Sequence, residues 1–161
     1  MRHYSEKIFQ SFDEFFECLK SWKTKNQKLV FTNGCFDILH RGHIDYLDKT
    51  AALGDKLIVG LNTDSSVKTL KGKKRPFIDE KSRAILIASL EMVDAVILFS
   101  DETPYDLINK IKPDVLTKGK DYEIEEIAGF DIVLEKGGKV ETIEFTKGFS
   151  TTSLIEKIKN S

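Results

Sequence analysis

Apolar residues come along this chain in short runs whose spacing changes from segment to segment. Phe9, Phe12, Phe15, Phe16 and Leu19 recur at helical intervals, which predicts an amphipathic helix over residues 10–24, packed on the domain or on a second subunit. The basic run from Lys20 to Lys28 closes it. KLVFTNG (28–34) has the β-branched and apolar character of a buried strand and is stopped by Asn33 and Gly34. A helix is expected next from Gly42 to Leu53, ended by Gly54. The same unit then returns. KLIVGLN (56–62) is a strand, TDSSVKTL a helical turn capped by Thr63 or Asp64, residues 79–91 a helix, AVILF (95–99) a strand, residues 104–111 a helix and DVLTKG (114–119) a strand. After a looser stretch come KVETIEF (139–145) as a strand and STTSLIEKIK (150–159) as the last helix. Strands separated by helices predict an α/β fold, a doubly wound parallel sheet with helices on both faces. The expected organisation is an amphipathic helical extension over residues 1–27 and one catalytic-size domain over 28–161.

Composition narrows the function classes. At 161 residues, with 40% hydrophobic and 32% charged, the chain is long and apolar enough for one packed core. Its net charge of −1 supplies no broad positive field, which argues against nucleic acid and anionic membranes as partners. Cys18 and Cys35 lie too far apart in sequence for a metal pair and fit a reducing, cytoplasmic setting. Glu6, Asp13, Glu14 and Glu17 interrupt the apolar residues near the N-terminus, so that segment is expected neither as a signal peptide nor as a membrane span.

The chemistry concentrates in FTNGCFDILHRGH, residues 31–43, at the first expected strand-to-helix turn. In an open parallel sheet ligands bind beyond the carboxyl ends of the strands, where backbone N–H groups and a helix N-terminus converge. Gly34 admits a ligand close to the backbone, and His40 and His43 stand at the start of the helix with Gly42 leaving space between them. Metal binding by the pair lacks a third ligand at a familiar spacing, so no metal site from protein side chains is expected. Two imidazoles that donate hydrogen bonds to phosphoryl oxygens remain as the reading.

GCFDILHRGH resembles the Gly-x-Phe-Asp-x-x-His-x-Gly-His signature of the cytidylyltransferase-like nucleotidyltransferases. GFSTTSLI resembles that family's Gly-Ile-Ser-Thr-Thr element, with Phe149 in place of the isoleucine. By themselves Ser150, Thr151 and Thr152 are ordinary helix-capping types; beside the first signature they form an expected anion site for triphosphate oxygens. The resemblance implies a Rossmann-like nucleotidyltransferase fold and a nucleotide-binding set of Asn33, Gly34, Cys35, Phe36, His40, His43, Lys118, Asp121, Ser150, Thr151 and Thr152. The basic loop LKGKKRPF would otherwise be a solvated charge run. The resemblance implies that one of its cations, Lys71, Lys74 or Arg75, steadies the substrate phosphate, with Lys74 the catalytic candidate beside His40 and His43. Arg83 is a lesser candidate with a structural alternative, and Asp37 is expected to brace the turn.

LNTDSSVKTLKGKKRPF, KPDVLTKGKDY and IAGFDIVLEKGGKVETIEF, with the ending GFSTTSLIEKI, are similar to the ADP-heptose-forming adenylyltransferase branch of that family. That branch implies ATP and a heptose 1-phosphate as substrates, ADP-heptose and pyrophosphate as products, Mg2+ accompanying ATP, and a place in bacterial surface glycan synthesis. It also implies a homodimer or higher homo-oligomer, for which the Phe-rich first helix is an available face. In that branch the domain is often fused behind a sugar kinase, and the sequence is expected to be the free-standing form. Two alternatives stay open: a cytidylyltransferase acting on glycerol 3-phosphate or a similar monoester, and a nucleotide-binding module without turnover.

Overall fold

In the computed structural model, which describes residues 3–161, the strands are β1 (Ile8–Phe9), β2 (Leu29–Gly34), β3 (Lys56–Asn62), β4 (Ala95–Phe99), β5 (Val115–Gly119) and β6 (Lys139–Ile143). They form one sheet in the order β1-β4-β3-β2-β5-β6, every pairing parallel. The helices are α1 (Phe12–Thr24), α2 (Arg41–Ala51), α3 (Asp64–Lys71), α4 (Glu80–Ala88), α5 (Tyr105–Ile111), α6 (Phe130–Glu135) and α7 (Thr151–Lys159).

Successive side chains of the central strands serve opposite faces, so each strand feeds two apolar layers. Leu29 and Phe31 of β2, Ile58 of β3, Ala95, Ile97 and Phe99 of β4 and Leu116 of β5 pack with α1, α5 and α6. Val30, Leu57, Val59, Leu61, Val96, Leu98 and Val115 pack with α2 and α4 on the other side. Burial on both faces is why these strands lack the alternation of a half-exposed sheet.

The chain runs from β2 outward through β3 to β4, then crosses back through α5 to β5, so β2 lies between β3 and β5. The strand order reverses between β2 and β5, and the crevice at their carboxyl ends is the place where a doubly wound sheet binds ligands. Beneath that crevice the Tyr46 hydroxyl of α2 lies 2.8 Å from Thr32 Oγ1 of β2 and 3.3 Å from Thr117 Oγ1 of β5, all three side chains buried. This hydroxyl cluster fixes α2 across both strands.

Several boundaries differ by one to three residues from the sequence pattern: α2 starts one residue earlier and ends two earlier than expected, and α4 loses one residue at its start and three at its end. His40 caps α2 and Asp79 caps α4. Thr63 caps α3, its side chain accepting from the backbone N–H of Ser66. Two elements were not legible. β1 is too short to show a period, and α6 lies in the stretch expected as loose. The segment before Lys28 carries more than a helix: a 3-10 turn (Tyr4–Lys7) leads into β1, which pairs with β4. Of the two surfaces foreseen for α1, its Phe15, Leu19 and Trp22 occupy the chain's own core, with Phe16 left exposed.

Phe15 is fully buried and edge-on to both Phe9 and Trp22. Phe15→Ala is therefore expected to lower unfolding free energy by about 3–5 kcal/mol within one cooperative transition. Chemical denaturation followed by near-UV circular dichroism measures this, and an early separate transition for α1 would show that it packs as an independent piece.

Candidate active site

The turn after β2 is held by backbone geometry that its residue types demand. Phe36 sits at φ 45°, in the left-handed region that bulky residues rarely adopt. Its ring lies where a Cβ on Gly34 would come within 2.9 Å of it, so Gly34 makes room for the fold of the turn as well as for a ligand. The same ring meets His43 edge-on at 5.3 Å between centroids.

His40 and His43 close a reciprocal cap on α2. The Gly42 N–H donates to His40 Nδ1 at 3.1 Å, and the His40 N–H donates to His43 Nδ1 at 3.3 Å. Both Nδ1 atoms are acceptors, so each neutral ring carries its proton on Nε2. The rings stack at 3.9 Å with an interplanar angle of 25°. Burial, then the neighbouring His40 and the charge of Lys71, push the His43 imidazolium down to about 4; burial lowers His40 as well. At neutral pH the pair is two uncharged N–H donors at a helix N-terminus, suited to oxygens that gain negative charge.

The C-terminal signature meets this helix start directly. A Cβ on Gly42 would come within 3.0 Å of the His40 ring and 3.1 Å of Phe149 Cβ, so the glycine permits both approaches at once. The Arg41 guanidinium stands 5.3 Å from the Phe149 ring centroid, and Thr146 Oγ1 donates to Asp45 Oδ2 at 2.8 Å. These contacts set the start of α7 beside the start of α2. Ser150 caps α7, its Oγ accepting from the Ser153 N–H at 3.0 Å, while Thr151 is half-buried and Thr152 exposed in the first turn.

At the carboxyl ends of the strands lies a cleft of about 450 Å3, lined by Asn33 and Gly34 at the end of β2 and Cys35 after it, Asn62 at the end of β3, Leu70 and Lys71 of α3, Lys118 and Tyr122 around the end of β5, and the segments 102–104 and 126–128. Of the three basic-loop candidates, Lys71 lines this cleft; Lys74 and Arg75 do not. Lys74 is exposed. Arg75 is committed elsewhere: its Nη1 donates to Asp37 Oδ2 at 3.0 Å. Asp37, nearly fully buried, also accepts the backbone N–H groups of Phe77 and Ile78, at 2.8 and 2.9 Å. Asp37 therefore braces the far end of the basic loop, and Arg75 is part of that brace. Asp121 is exposed and outside the lining.

Arg83 has the structural role. It is fully buried and donates to the carbonyls of Ile78 (2.9 Å), Cys35 (2.7 Å) and Asn62 (2.8 Å) and to Asp64 Oδ1 (2.8 Å). One guanidinium thus joins the turn after β2, the end of β3, the start of α3 and the basic loop. The lining residues that sequence reasoning missed are Asn62, Leu70, Glu102, Thr103, Pro104, Tyr122, Glu126, Ile127 and Ala128. Asn62 ends an expected strand and residues 102–104 follow another, so both were open to the strand-end rule; residues 126–128 come from the stretch with no visible period. Among the described residues no group of three or more His, Cys, Asp or Glu is placed to hold a metal ion, and no helix is long and apolar enough to cross a membrane.

A histidine-capped turn at the switch point of a doubly wound sheet, with a second capped helix start beside it, fits one class: a nucleotidyltransferase. The family model described as Cytidylyltransferase-like matches residues 31–157, and the chain belongs to that family. It is 50% identical over 157 residues to a Bifunctional protein HldE from Wolinella succinogenes, covering 98% of this chain and 32% of the relative. A Helicobacter pylori (strain J99) protein of the same name is 52% identical over 143 residues, covering 89% of this chain and 30% of the relative. The chain thus spans about a third of the length of these curated relatives. Among solved structures, the lipopolysaccharide core biosynthesis protein from Thermoplasma volcanium superimposes with a TM-score of 0.63 at 34% identity, covering 76% of this chain and 99% of that one. Pantoate-beta-alanine ligase from Francisella tularensis, solved with β-γ ATP and β-alanine, shares the fold with a TM-score of 0.65 at 17% identity, covering 95% of this chain and 77% of that one.

The titration of His43 carries a stability signature. Its folded pKa is depressed, so the unfolded chain binds the extra proton first, and stability present above about pH 6.5 is lost as pH falls towards 4. Thermal melts of wild type and His43→Asn across that window are expected to converge as pH falls, the variant having the flatter profile. Parallel profiles would mean that His43 is not held neutral by the fold.

Proposed function

We propose that the protein joins ATP and a heptose 1-phosphate to give ADP-heptose and pyrophosphate, supplying a precursor of bacterial surface glycans in the cytoplasm. The observation that carries this reading is the pair of imidazoles with both Nδ1 atoms occupied and both Nε2–H donors left for phosphoryl oxygens. The likeness to the lipopolysaccharide core biosynthesis protein from Thermoplasma volcanium supports the pathway, and the sequence resemblance to the ADP-heptose-forming branch supports the substrates.

In this reading an oxygen of the sugar phosphate attacks the α-phosphorus of ATP in line. A new phosphorus–oxygen bond forms, the bond from the α-phosphorus to the bridging oxygen breaks, and its electron pair leaves with pyrophosphate. Catalysis is positioning and charge stabilisation, since the attacking phosphate is already ionised. His40 and His43 donate to the α-phosphate oxygens, whose hydrogen bonds strengthen as charge grows in the transition state. The first turn of α7, with Thr151 and Thr152, receives the β- and γ-phosphates at free N–H groups beside α2. Lys71 at the cleft wall and Lys74 on the exposed part of the same loop offset charge around the reacting phosphates.

The donor set around the histidines is neutral or cationic and does not fit a protein-held Mg2+; the ion fits instead as a companion of ATP, held by phosphate oxygens and water. When bound with the nucleotide it supplies countercharge. The protein's own part is to hold the triphosphate between the two helix starts and the sugar phosphate in the adjoining cleft.

Pyrophosphate release with the four nucleoside triphosphates against a panel of sugar and alcohol phosphates tests this reading. ATP with heptose 1-phosphate is the expected pair; preference for CTP with glycerol 3-phosphate would overturn the substrate assignment, and no turnover with any pair would favour a binding module. With the active pair, His40→Ala or His43→Ala is expected to lower kcat roughly 100-fold to 1000-fold with little change in ATP affinity. A folded variant with near wild-type kcat would remove that histidine from the chemistry.

A further inference from the structure

Lys118 is the penultimate residue of β5 and shares its face with Leu116, on the side of α5 and α6; Thr117 between them points to Tyr46 of α2. Its Nζ donates to both Asn33 O and Asn33 Oδ1, each at 3.2 Å, and lies 5.4 Å from the Tyr122 ring centroid. An ammonium has three N–H donors in tetrahedral array. Asn33 takes two, and the third has no protein acceptor among the described residues although the side chain lines the cleft. A largely desolvated cation with one donor left over calls for an anion.

The surroundings select which anion. His40, His43 and the start of α7 gather at the start of α2, whereas Lys118 lines a cleft whose walls include none of them and do include Glu102 and Glu126. A polyanionic triphosphate would bring its charge against those two carboxylates. A phosphate monoester bearing a neutral polyol puts one dianion at Lys118 and leaves hydroxyl groups for the carboxylates to accept from. A cleft of about 450 Å3 is of the size that holds such a molecule. Resting on the nucleotidyl-transfer reading, we propose that Lys118, positioned by Asn33, is the residue that binds the attacking sugar phosphate, rather than a contact of the nucleotide or a cation from the exposed basic loop.

Its protonation gives the proposal a handle. Burial pushes the Lys118 ammonium down to about 8; Cys35 and Asp121 oppose that shift and Lys71 adds to it. Lys118 is charged below that pH and loses its proton above it, while a sugar phosphate is a dianion and His43 is neutral on both sides. Sugar-phosphate binding is therefore expected to weaken as pH rises from 7 to 9, and an arginine, which stays charged, is expected to abolish that dependence.

Calorimetric titration of heptose 1-phosphate and, separately, of a non-hydrolysable ATP analogue into wild type, Lys118→Arg and Lys118→Met at pH 7 and pH 9 tests this without turnover. Wild type is expected to bind heptose 1-phosphate about tenfold more weakly at pH 9 than at pH 7, the loss for one group titrating near the middle of the window. Lys118→Met is expected to weaken it by roughly 10-fold to 100-fold at pH 7, the range for a lost hydrogen bond to a charged partner, with the ATP analogue within about 2-fold of wild type. Lys118→Arg is expected to bind equally at both pH values. A loss that falls on the ATP analogue, or a wild-type pH dependence that Lys118→Arg retains, would overturn the proposal, as would no loss in a folded Lys118→Met. Tight heptose 1-phosphate binding that depends on Lys118 but leads to no pyrophosphate with ATP would sink the transferase reading and leave this assignment standing.

Discussion

The site is organised around one buried cation that does no chemistry. Arg83 reaches from α4 under the crevice and bonds to carbonyls on three separate chain segments and to the Asp64 carboxylate. A guanidinium is always charged, so its burial is tolerable only where its donors find acceptors, and loop carbonyls at strand ends are acceptors that would otherwise be unpaired. The clamp satisfies both needs at once. Asp37 repeats the device with opposite sign, a buried carboxylate collecting Arg75 and two backbone N–H groups. Together they anchor residues 75–78, while Lys73 and Lys74 stay exposed outside that brace.

On that frame the two histidines act as a pair because each completes the other's environment. The capping bonds that start α2 are the bonds that fix both tautomers, so capping the helix and orienting the two Nε2–H groups are one event. Stacking at 3.9 Å penalises a second charge, and burial penalises the first. In the proposed reaction neutral donors would suit a transition state whose charge is transient, stabilising growing negative charge without binding the ground-state triphosphate so tightly that the gain is lost. Gly42 extends the same economy of space, since its missing side chain admits the His40 ring and Phe149 together and so brings the two helix starts side by side.

The parallel sheet and its helices were legible because burial on both faces writes continuous apolar runs, and because capping residues and glycines punctuate them. β1 escaped since two residues carry no period, and α6 since six residues bounded by glycines look like a loop. At the candidate site, the placing of Gly34, His40 and His43 at a strand-to-helix turn and of Ser150 as a helix cap was readable from local pattern. The division of labour among the cations was not, because it depends on contacts across 38 to 85 residues of sequence: Arg75 turns inward to Asp37, and Lys118 bonds to Asn33. Charge in a sequence shows that an anion can be met; only the fold shows which cation remains available to meet it.

Everything proposed for the site depends on His40 and His43 presenting Nε2–H groups as neutral donors at the start of α2. Long-range proton–nitrogen correlation spectra of the histidine rings at pH 7, with and without a non-hydrolysable ATP analogue, test it most directly. Both Nδ1 atoms are expected to be unprotonated and both Nε2 atoms protonated in the free protein, with the Nε2 signals moving when the analogue binds. A proton on Nδ1 of either ring, or an imidazolium at pH 7, would contradict it.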